Sequence, residues 1–479
     1  MRSTSAFRRT KIVCTIGPKT SSPEQIQRLI RSGMNVARLN FSHGDRESHR
    51  KTIRMLRDVS SSIGQEIGIL QDLGGPKIRL GFLKRPEMLL ERGSQVALSP
   101  EGRHGADDIP VNYPFLLEDI HVGDHILLAD GTVQVTVREI QRDRAICEVI
   151  ASGVIRSQKG VNLPSSHLRI NAFTEKDRAD LVIGLEEEVD FVALSFVRTE
   201  DDLKQIREVL DRHEKPPHLI AKIEKPQAVE SFEKILEKVD GVMVARGDLG
   251  VEMPLEEVPI IQKKIIRLAR QAGKPVITAT QMLTSMLDSP RPTRAEATDV
   301  ANAVLDGTDA LMLSDETTVG SYPMESVSVL DRIARTTERY LGDKSFMDES
   351  MTATLPGTAA AISRAACWLA IDLEAAAIVA STSSGGTARL VSRFRPPCPV
   401  IGLTDCLQTL RQLSLSWGVI PNLVQSFTDT DQMFEVARAW ALKAGVAMPW
   451  DRLIITAGVP VGVSGTTNLL KVVELDEET

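Results

Sequence analysis

No run of apolar residues in this chain approaches the ~20 needed to cross a bilayer as a helix, so the sequence gives no reason to expect a membrane span. Cysteine is scarce. The five are Cys14, Cys147, Cys367, Cys398 and Cys406, odd in number, scattered and without a C-x-x-C pair. That argues against a disulfide scaffold and favours a reducing, cytoplasmic setting. No His/Cys cluster offers zinc a site. There is no basic surplus either: 57 Lys and Arg against 64 Asp and Glu leave a formal charge of −7. Nucleic-acid binders usually carry the opposite balance, so none is expected as a partner. The opening MRSTSAFRRTK is basic and Ser-rich, but no apolar signal core follows, and it reads as a flexible arm. No solenoid period and no low-complexity segment are present.

What is present is size and alternation. The chain has 479 residues, room for about three domains at roughly 100–200 residues each. Eight short apolar runs end in polar or charged residues: KIVCTIG from Lys11, NVARLNFSHG from Asn35, IGILQDLGG from Ile67, DFVALSFV from Asp190, HLIAKIEKP from His218, GVMVARGDLG from Gly241, KPVITATQM from Lys274 and DALMLSDET from Asp309. Most are separated by amphipathic stretches of helical length, such as SPEQIQRLIRSG and TEDDLKQIREVL. Eight buried strands alternating with helices predict an α/β fold, a closed (β/α)8 barrel. In such barrels the C-terminal strand ends carry the chemistry. Arg38, Asn40, Ser42, Asp72, Lys222, Glu224, Arg246, Asp248, Thr280 and Ser314 are thereby expected at one mouth.

The third and fourth runs are more than 100 residues apart. Between them SQVALSP, GDHILLADGTVQVTVREI and RAICEVIASGVI read as short strands, with a hairpin turn at Asp130-Gly131. The expectation is a small inserted β-barrel domain over 77–168, splitting the large barrel into 1–76 and 169–348 and able to close over a substrate. From 349 to 479 the pattern restarts: a helix in TAAAISRAACWLAIDL, a strand in AAAIVAS, a helix in TARLVSRF, and strand-like PVIGLT, RLIITAG and LLKVVEL. This predicts a third, open-sheet α/β domain.

Three constellations carry chemistry. Lys222 and Glu224 are two apart on one strand and project the same way, while Asp248 ends the next strand. Two carboxylates from neighbouring strand ends suit Mg2+ or Mn2+, which take oxygen ligands and keep waters. The lysine beside them can neutralise a transferring group. Arg38, Asn40 and Ser42 share a face of the second run, and Arg suits bidentate phosphate or carboxylate binding. His43 is either a ligand contact or a solvated loop residue. Thr280 and Ser314 offer hydroxyls with no His/Asp partner, so covalent serine catalysis has no support.

These residues sit in segments that together resemble the pyruvate kinase family: KIVCTIGP, GMNVARLNFSHG, GPKIRLG, KGVNLP, AKIEKP, MVARGDLGVE, ITATQML, the long RPTRAEATDVANAVLDGTDALMLSDET and the C-terminal SGTTN. They span nearly the whole chain in the family's order. The resemblance implies a cytoplasmic glycolytic enzyme that moves phosphoryl from phosphoenolpyruvate to ADP, giving pyruvate and ATP. It implies that Arg38 and Lys222 hold the phosphoryl and that Lys222 also meets the developing enolate. Glu224 and Asp248 would ligate Mg2+ or Mn2+. The amides of Gly247 and Asp248, with Thr280, would hold the substrate carboxylate. Arg79 and Lys159, with Asn40 and His43, would face the nucleotide, and Thr280 and Ser314 would lie on the path of the proton. Family members are usually homotetramers under allosteric control.

One stretch departs from the family. Members that need K+ typically read Asp-Thr-Lys-Gly-Pro-Glu after the third strand; here Asp72, Leu73, Gly74, Gly75, Pro76 and Lys77 stand there. A lysine in that last place can supply the charge a bound monovalent cation otherwise provides, which implies activity largely independent of K+. Asn40, Ser42 and Asp72 remain, leaving room for a residual K+ site. In the C-terminal region STSSGGTARL places Ser381, Thr382, Ser383, Ser384 and Thr387 around glycines, and SGTTN from Ser464 can close on the same ligand. The resemblance makes this a phosphorylated-effector site, for a sugar phosphate or a nucleoside monophosphate. Two other readings compete: a Mg2+-dependent lyase or aldolase of pyruvate-like acids, which has no use for a lid or for Lys159 and Arg79, and an inactive metabolite sensor, which would have lost a metal ligand or the lysine.

Overall fold

The computed structural model describes residues 7–102, 105, 107–166, 168–341, 357–460 and 465–476. The start of the opening arm, the expected boundary near residue 349, and Ser464 of the SGTTN loop lie outside them.

All eight apolar runs supply strands: β1 Lys11–Thr15, β2 Val36–Asn40, β3 Gly68–Leu73, β4 Phe191–Leu194, β5 His218–Ile223, β6 Gly241–Ala245, β7 Val276–Ala279 and β8 Ala310–Leu313. They pair in parallel, each with its sequence neighbour, and β8 pairs with β1 to close the barrel. Their continuous hydrophobicity has a direct cause. Alternate side chains fill the barrel interior (Val13, Leu70, Ile220, Met243, Ile277 and Met312). The residues between them (Ile12, Ile69, Leu219, Val242 and Leu311) pack on the surrounding helices.

The helix ends are coded locally. Helix Pro23–Ser32 begins at Ser22, whose side chain accepts from the Gln25 amide, and ends at Gly33 with φ 120°. In RPTRAE, Thr293 and Glu296 form a reciprocal capping box that starts helix Arg294–Asp306.

The insertion between β3 and β4 contains a six-stranded sheet and a two-stranded one. The segment around Arg79 and Leu80 joins the two edges of the larger sheet. Arg79 bridges Gly160 on one side and Leu80 bridges Val111 on the other, so the sheet closes on itself as expected. The hairpin at Asp130-Gly131 is wider than a two-residue turn. Leu128 pairs with Val133, and Ala129 and Asp130 take φ of 51° and 57°. A one-turn helix, Leu116–Asp119, interrupts what the sequence reads as purely β. The insertion docks beside the large barrel's mouth, where the Asn162 amide donates to Glu252 at 2.7 Å.

The C-terminal sheet contains β9 Ala377–Ser381, β10 Val400–Thr404, β11 Val419–Leu423, β12 Arg452–Gly458 and β13 Thr467–Glu474, in the order β11-β10-β9-β12-β13. Only the β12–β13 pair is antiparallel. The sequence reading has no strand at β11. Pro421 demotes the run VIPNL as a strand, and the structure places it at a sheet edge, where a missing N–H is tolerated.

Leu415, in the turn after helix Leu407–Leu413, is buried with the interior residues of the large barrel, whose floor it thus completes. Truncating it to Ala is expected to cost about 2–5 kcal/mol, the usual range for a core leucine. The urea midpoint would show it. Leu423→Ala, at a site 48% exposed, should move that midpoint far less. Equal shifts would mean that Leu415 does not seal the barrel.

Candidate active site

The mouth is organised by one buried lysine. Lys222 Nζ lies 2.8 Å from Ser195 Oγ, 2.9 Å from Glu224 Oε1 and 3.3 Å from Asp72 Oδ1. Burial works against its charge, but Asp72 and Glu224 outweigh burial and raise its pKa, so the ammonium stays protonated. Asp72 is shared: Arg38 Nε donates to its other oxygen at 2.7 Å, and Arg38 Nη1 reaches Thr15 Oγ1 at 3.0 Å. Burial would raise the Asp72 pKa; Lys222 and Arg38 together hold it below the usual range. Glu224 goes the other way. Burial raises its pKa, Lys222 opposes, and the nearby Asp248 adds to the rise. Its second oxygen accepts the Phe196 amide at 2.8 Å.

Three carboxylates thus face two cations. Among the described residues no group of three or more His, Cys, Asp or Glu could hold a metal. Glu224 and the nearby Asp248 are the two carboxylates that would contribute to a cation site, with substrate and water left to complete the shell. That donor set fits Mg2+ or Mn2+.

Thr280 is held in a left-handed conformation, φ 68°, followed by Gln281 at 55°, which non-glycine residues seldom adopt. Its hydroxyl accepts from the Gly247 amide at 2.7 Å and donates to its neighbour's carbonyl. Thr280 and Gly247 therefore meet as expected, though here the amide is satisfied by the hydroxyl. Arg246 departs from the expectation. Its guanidinium grips the Thr280 carbonyl at 2.9 Å and Asp299 at 2.7 Å, so it clamps the strained turn. Ser314 donates its amide to Glu316, which also accepts the Leu283 amide and so ties the β7 and β8 ends together.

Lys77, Arg79, Lys159, His43 and Asp248 line one cleft of about 600 Å³ between the insertion and the mouth. Desolvation by the cleft walls lowers the pKa of Lys77, as do Lys222 and Arg79, while Asp248 and Asp72 pull the other way. His43 lines the same cleft, and its pKa is lowered by desolvation and by the charges of Lys77, Arg79 and Arg38. Asn40 and Ser42 do not share a strand face. β2 ends at Asn40, whose side chain accepts the Ser42 amide at 3.1 Å and turns the chain. Leu73 is buried, and its carbonyl accepts from Ser195 Oγ at 2.8 Å.

Ser195, Thr15, Phe196 and the ion pair of Lys225 with Glu252 were not anticipated. Ser195 had a signal, because it ends the apolar run VALSF, where mouth residues belong. In the C-terminal sheet Ser381, Thr382, Ser383, Ser384 and Thr387 all line a cavity of about 180 Å³, together with Thr466 and Thr467. Thr387 and Thr467 share a 2.6 Å hydroxyl contact.

A (β/α)8 barrel with this concentration of fixed charge at its mouth, and further cations on the insertion facing it, has the positioning and charge that phosphoryl transfer uses. Comparison with known proteins is specific. A family model for the pyruvate kinase barrel domain matches residues 7–327, and one for the pyruvate kinase alpha/beta domain matches residues 360–473. The chain is 44% identical over 469 residues to a pyruvate kinase of Geobacillus stearothermophilus, covering 97% of this chain and 80% of that one. It is 46% identical over 471 residues to pyruvate kinase 2 of a Synechocystis strain, covering 97% and 79%. A crystal structure of a pyruvate kinase from Cryptosporidium parvum superposes with a TM-score of 0.90 at 36% identity, covering 98% of this chain and 96% of the other. The chain belongs to the pyruvate kinase family.

Proposed function

We propose that this chain transfers phosphoryl from phosphoenolpyruvate to ADP using Arg38, Lys222 and a divalent cation at Glu224 and Asp248, and that Lys77 replaces a monovalent cation. One observation carries the reading: Lys222 is held charged at the mouth by Asp72, Glu224 and Ser195, beside a cleft lined by Lys77, Arg79 and Lys159.

The steps follow from these positions. Arg79 and Lys159 hold the ADP phosphates. A terminal ADP oxygen attacks phosphorus, the bond from phosphorus to the enolpyruvate oxygen breaks, and that oxygen keeps the electron pair. Arg38 neutralises the phosphoryl, and Lys222 meets the charge as it moves to the enolate. Glu224 and Asp248 would hold a divalent cation, Mg2+ or Mn2+, which would supply Lewis-acid charge at the site. The Gly247–Asp248 backbone and Thr280 orient the carboxylate. A proton then reaches the enolate carbon by way of Thr280 and Ser314, and pyruvate forms. Formation of pyruvate and ATP from phosphoenolpyruvate, ADP and Mg2+ in K+-free buffer tests the reading. No turnover with either Mg2+ or Mn2+, with or without K+, would sink it. The lyase reading leaves the lid cations without a task, and the sensor reading requires a lost residue where none is missing.

The hydroxyl-lined cavity supports an allosteric site for a phosphorylated effector, and homotetrameric assembly in the cytoplasm belongs to the same proposal. Thr382→Ala with Ser384→Ala should weaken activation by phosphorylated effectors about thirtyfold, two lost hydrogen bonds at roughly 1 kcal/mol each, with basal turnover intact. An unchanged effector response would place the site elsewhere.

A further inference from the structure

Between the floor of the large barrel and helix Gly386–Ser392, a small opening is walled by Arg270, Lys274, Arg389, Arg393 and Arg395. Against these five cations the lining holds one carboxylate, Asp309, and it is already engaged. Asp309 accepts from Arg395 Nη1 at 3.1 Å, from the Trp417 amide at 3.1 Å and from the Val276 amide at 3.1 Å. Nearby Asp240 is equally occupied, by Arg207 and the Leu219 amide, both at 2.8 Å.

The arginines use only part of their donor capacity. Arg395 reaches the Gly307 carbonyl at 2.7 Å, Arg393 the Gln271 carbonyl at 2.8 Å and Arg389 the Ser384 carbonyl at 3.0 Å. Yet Arg389 Nη1, Arg393 Nε and Arg395 Nε are buried without a hydrogen-bond partner, and both Arg393 and Arg395 are only 5% exposed. A buried donor with no acceptor costs about 1–3 kcal/mol, more when charged. The guanidinium of Arg395 lies over the Trp417 ring at 4.9 Å, and that of Arg393 over Phe394 at 4.5 Å. Rings cover the guanidinium faces, so the remaining donors lie in the guanidinium planes, the geometry that grips a tetrahedral oxyanion.

We propose that this seam binds a phosphate-class dianion, either inorganic phosphate or the phosphoryl head of a small phosphomonoester. It is a site separate from the barrel mouth and from the hydroxyl-lined cavity, and it does not rest on the catalytic reading. The enclosed space is about 10 Å³, room for one water-sized group. Only one leading oxygen enters, and the rest of the ligand stays at the opening. The bound anion would tie the barrel floor, through Arg270 and Lys274, to the sheet domain. Arg389, bonded to Ser384, links it to the loop lining the hydroxyl cavity.

The experiment is calorimetric titration of the full chain with inorganic phosphate, and separately with glycerol phosphate, at constant ionic strength. An Arg79→Gln, Thr382→Ala background is used to weaken binding at the mouth and the hydroxyl cavity. One site is expected to remain there, to weaken tenfold or more in Arg393→Gln, and to recover in part in Arg393→Lys. Tighter glycerol phosphate would assign the site to esters, and tighter phosphate to the inorganic ion. Unchanged binding in folded Arg393→Gln overturns the proposal. If that variant does not fold, Arg389→Gln decides by the same criterion. A selenate-soaked crystal should show an anomalous peak between Arg389, Arg393 and Arg395; peaks only at the mouth or the hydroxyl cavity would also overturn it.

Discussion

Lys222→Met is expected to lower turnover by a factor of about 10²–10³ or more. Removing one preorganised electrostatic contact from a water-poor site typically costs that much, roughly 3–4 kcal/mol. Lys222 is a strong case because its charge is fixed before substrate arrives. Ser195, Glu224 and Asp72 hold the ammonium in place, so no reorganisation is needed when charge moves to the enolate oxygen. Methionine keeps the length and packing of the stem and removes the charge. The fold should persist, because Asp72 keeps Arg38 and Glu224 keeps the Phe196 amide. Stability should still fall by about 3–5 kcal/mol, the usual penalty for stripping one partner from a buried ionic cluster. Steady-state kinetics beside circular dichroism would separate the two effects. Turnover within tenfold of the native protein would remove Lys222 from the mechanism.

Lys77→Glu is expected to make turnover depend on K+. The side chain stands in the field of Asp72, Asp248, Lys222 and Arg79, at the entrance to the cleft. At a separation of roughly 7 Å and an effective dielectric near 20, one unit of charge is worth about 2 kcal/mol. The substitution reverses that charge. Without K+ the variant should lose well over tenfold in turnover, and added K+ should restore most of it. Lys77→Gln should fall between. The reading fails if the native protein itself, freed of K+ and NH4+, runs at under a tenth of its rate with them.

The barrel was legible because its strands are buried on both faces, which writes them as unbroken apolar runs with polar exits. Lys222, Glu224 and Arg38 were legible from the same pattern, since strand polarity tells where the exits point. Contacts made by single residues were not. The segment around Arg79 and Leu80 closes the inserted sheet through one bridge on each side, too little pairing to impose a period on the sequence. Ser42 has the right spacing to follow Asn40 along a strand, but the Asn40 side chain captures its amide and ends the strand. Arg246 reads as a mouth cation by position. Only the third dimension shows Asp299 and the Thr280 carbonyl drawing it away. The left-handed turn at Thr280 and Gln281 has no glycine to announce it; the surrounding clamp imposes it.

Leu415 carries a consequence for the order of assembly during synthesis. Roughly 100 residues separate it from Leu313, the end of the last barrel strand. At about 5–20 residues per second, the ribosome delivers it roughly 5–20 s after that strand. For that interval the nascent barrel has all its staves and no floor, and its interior is open to water from below. A chaperone that meets the chain in this window would find its apolar target at the underside of the barrel, hidden once Leu415 arrives.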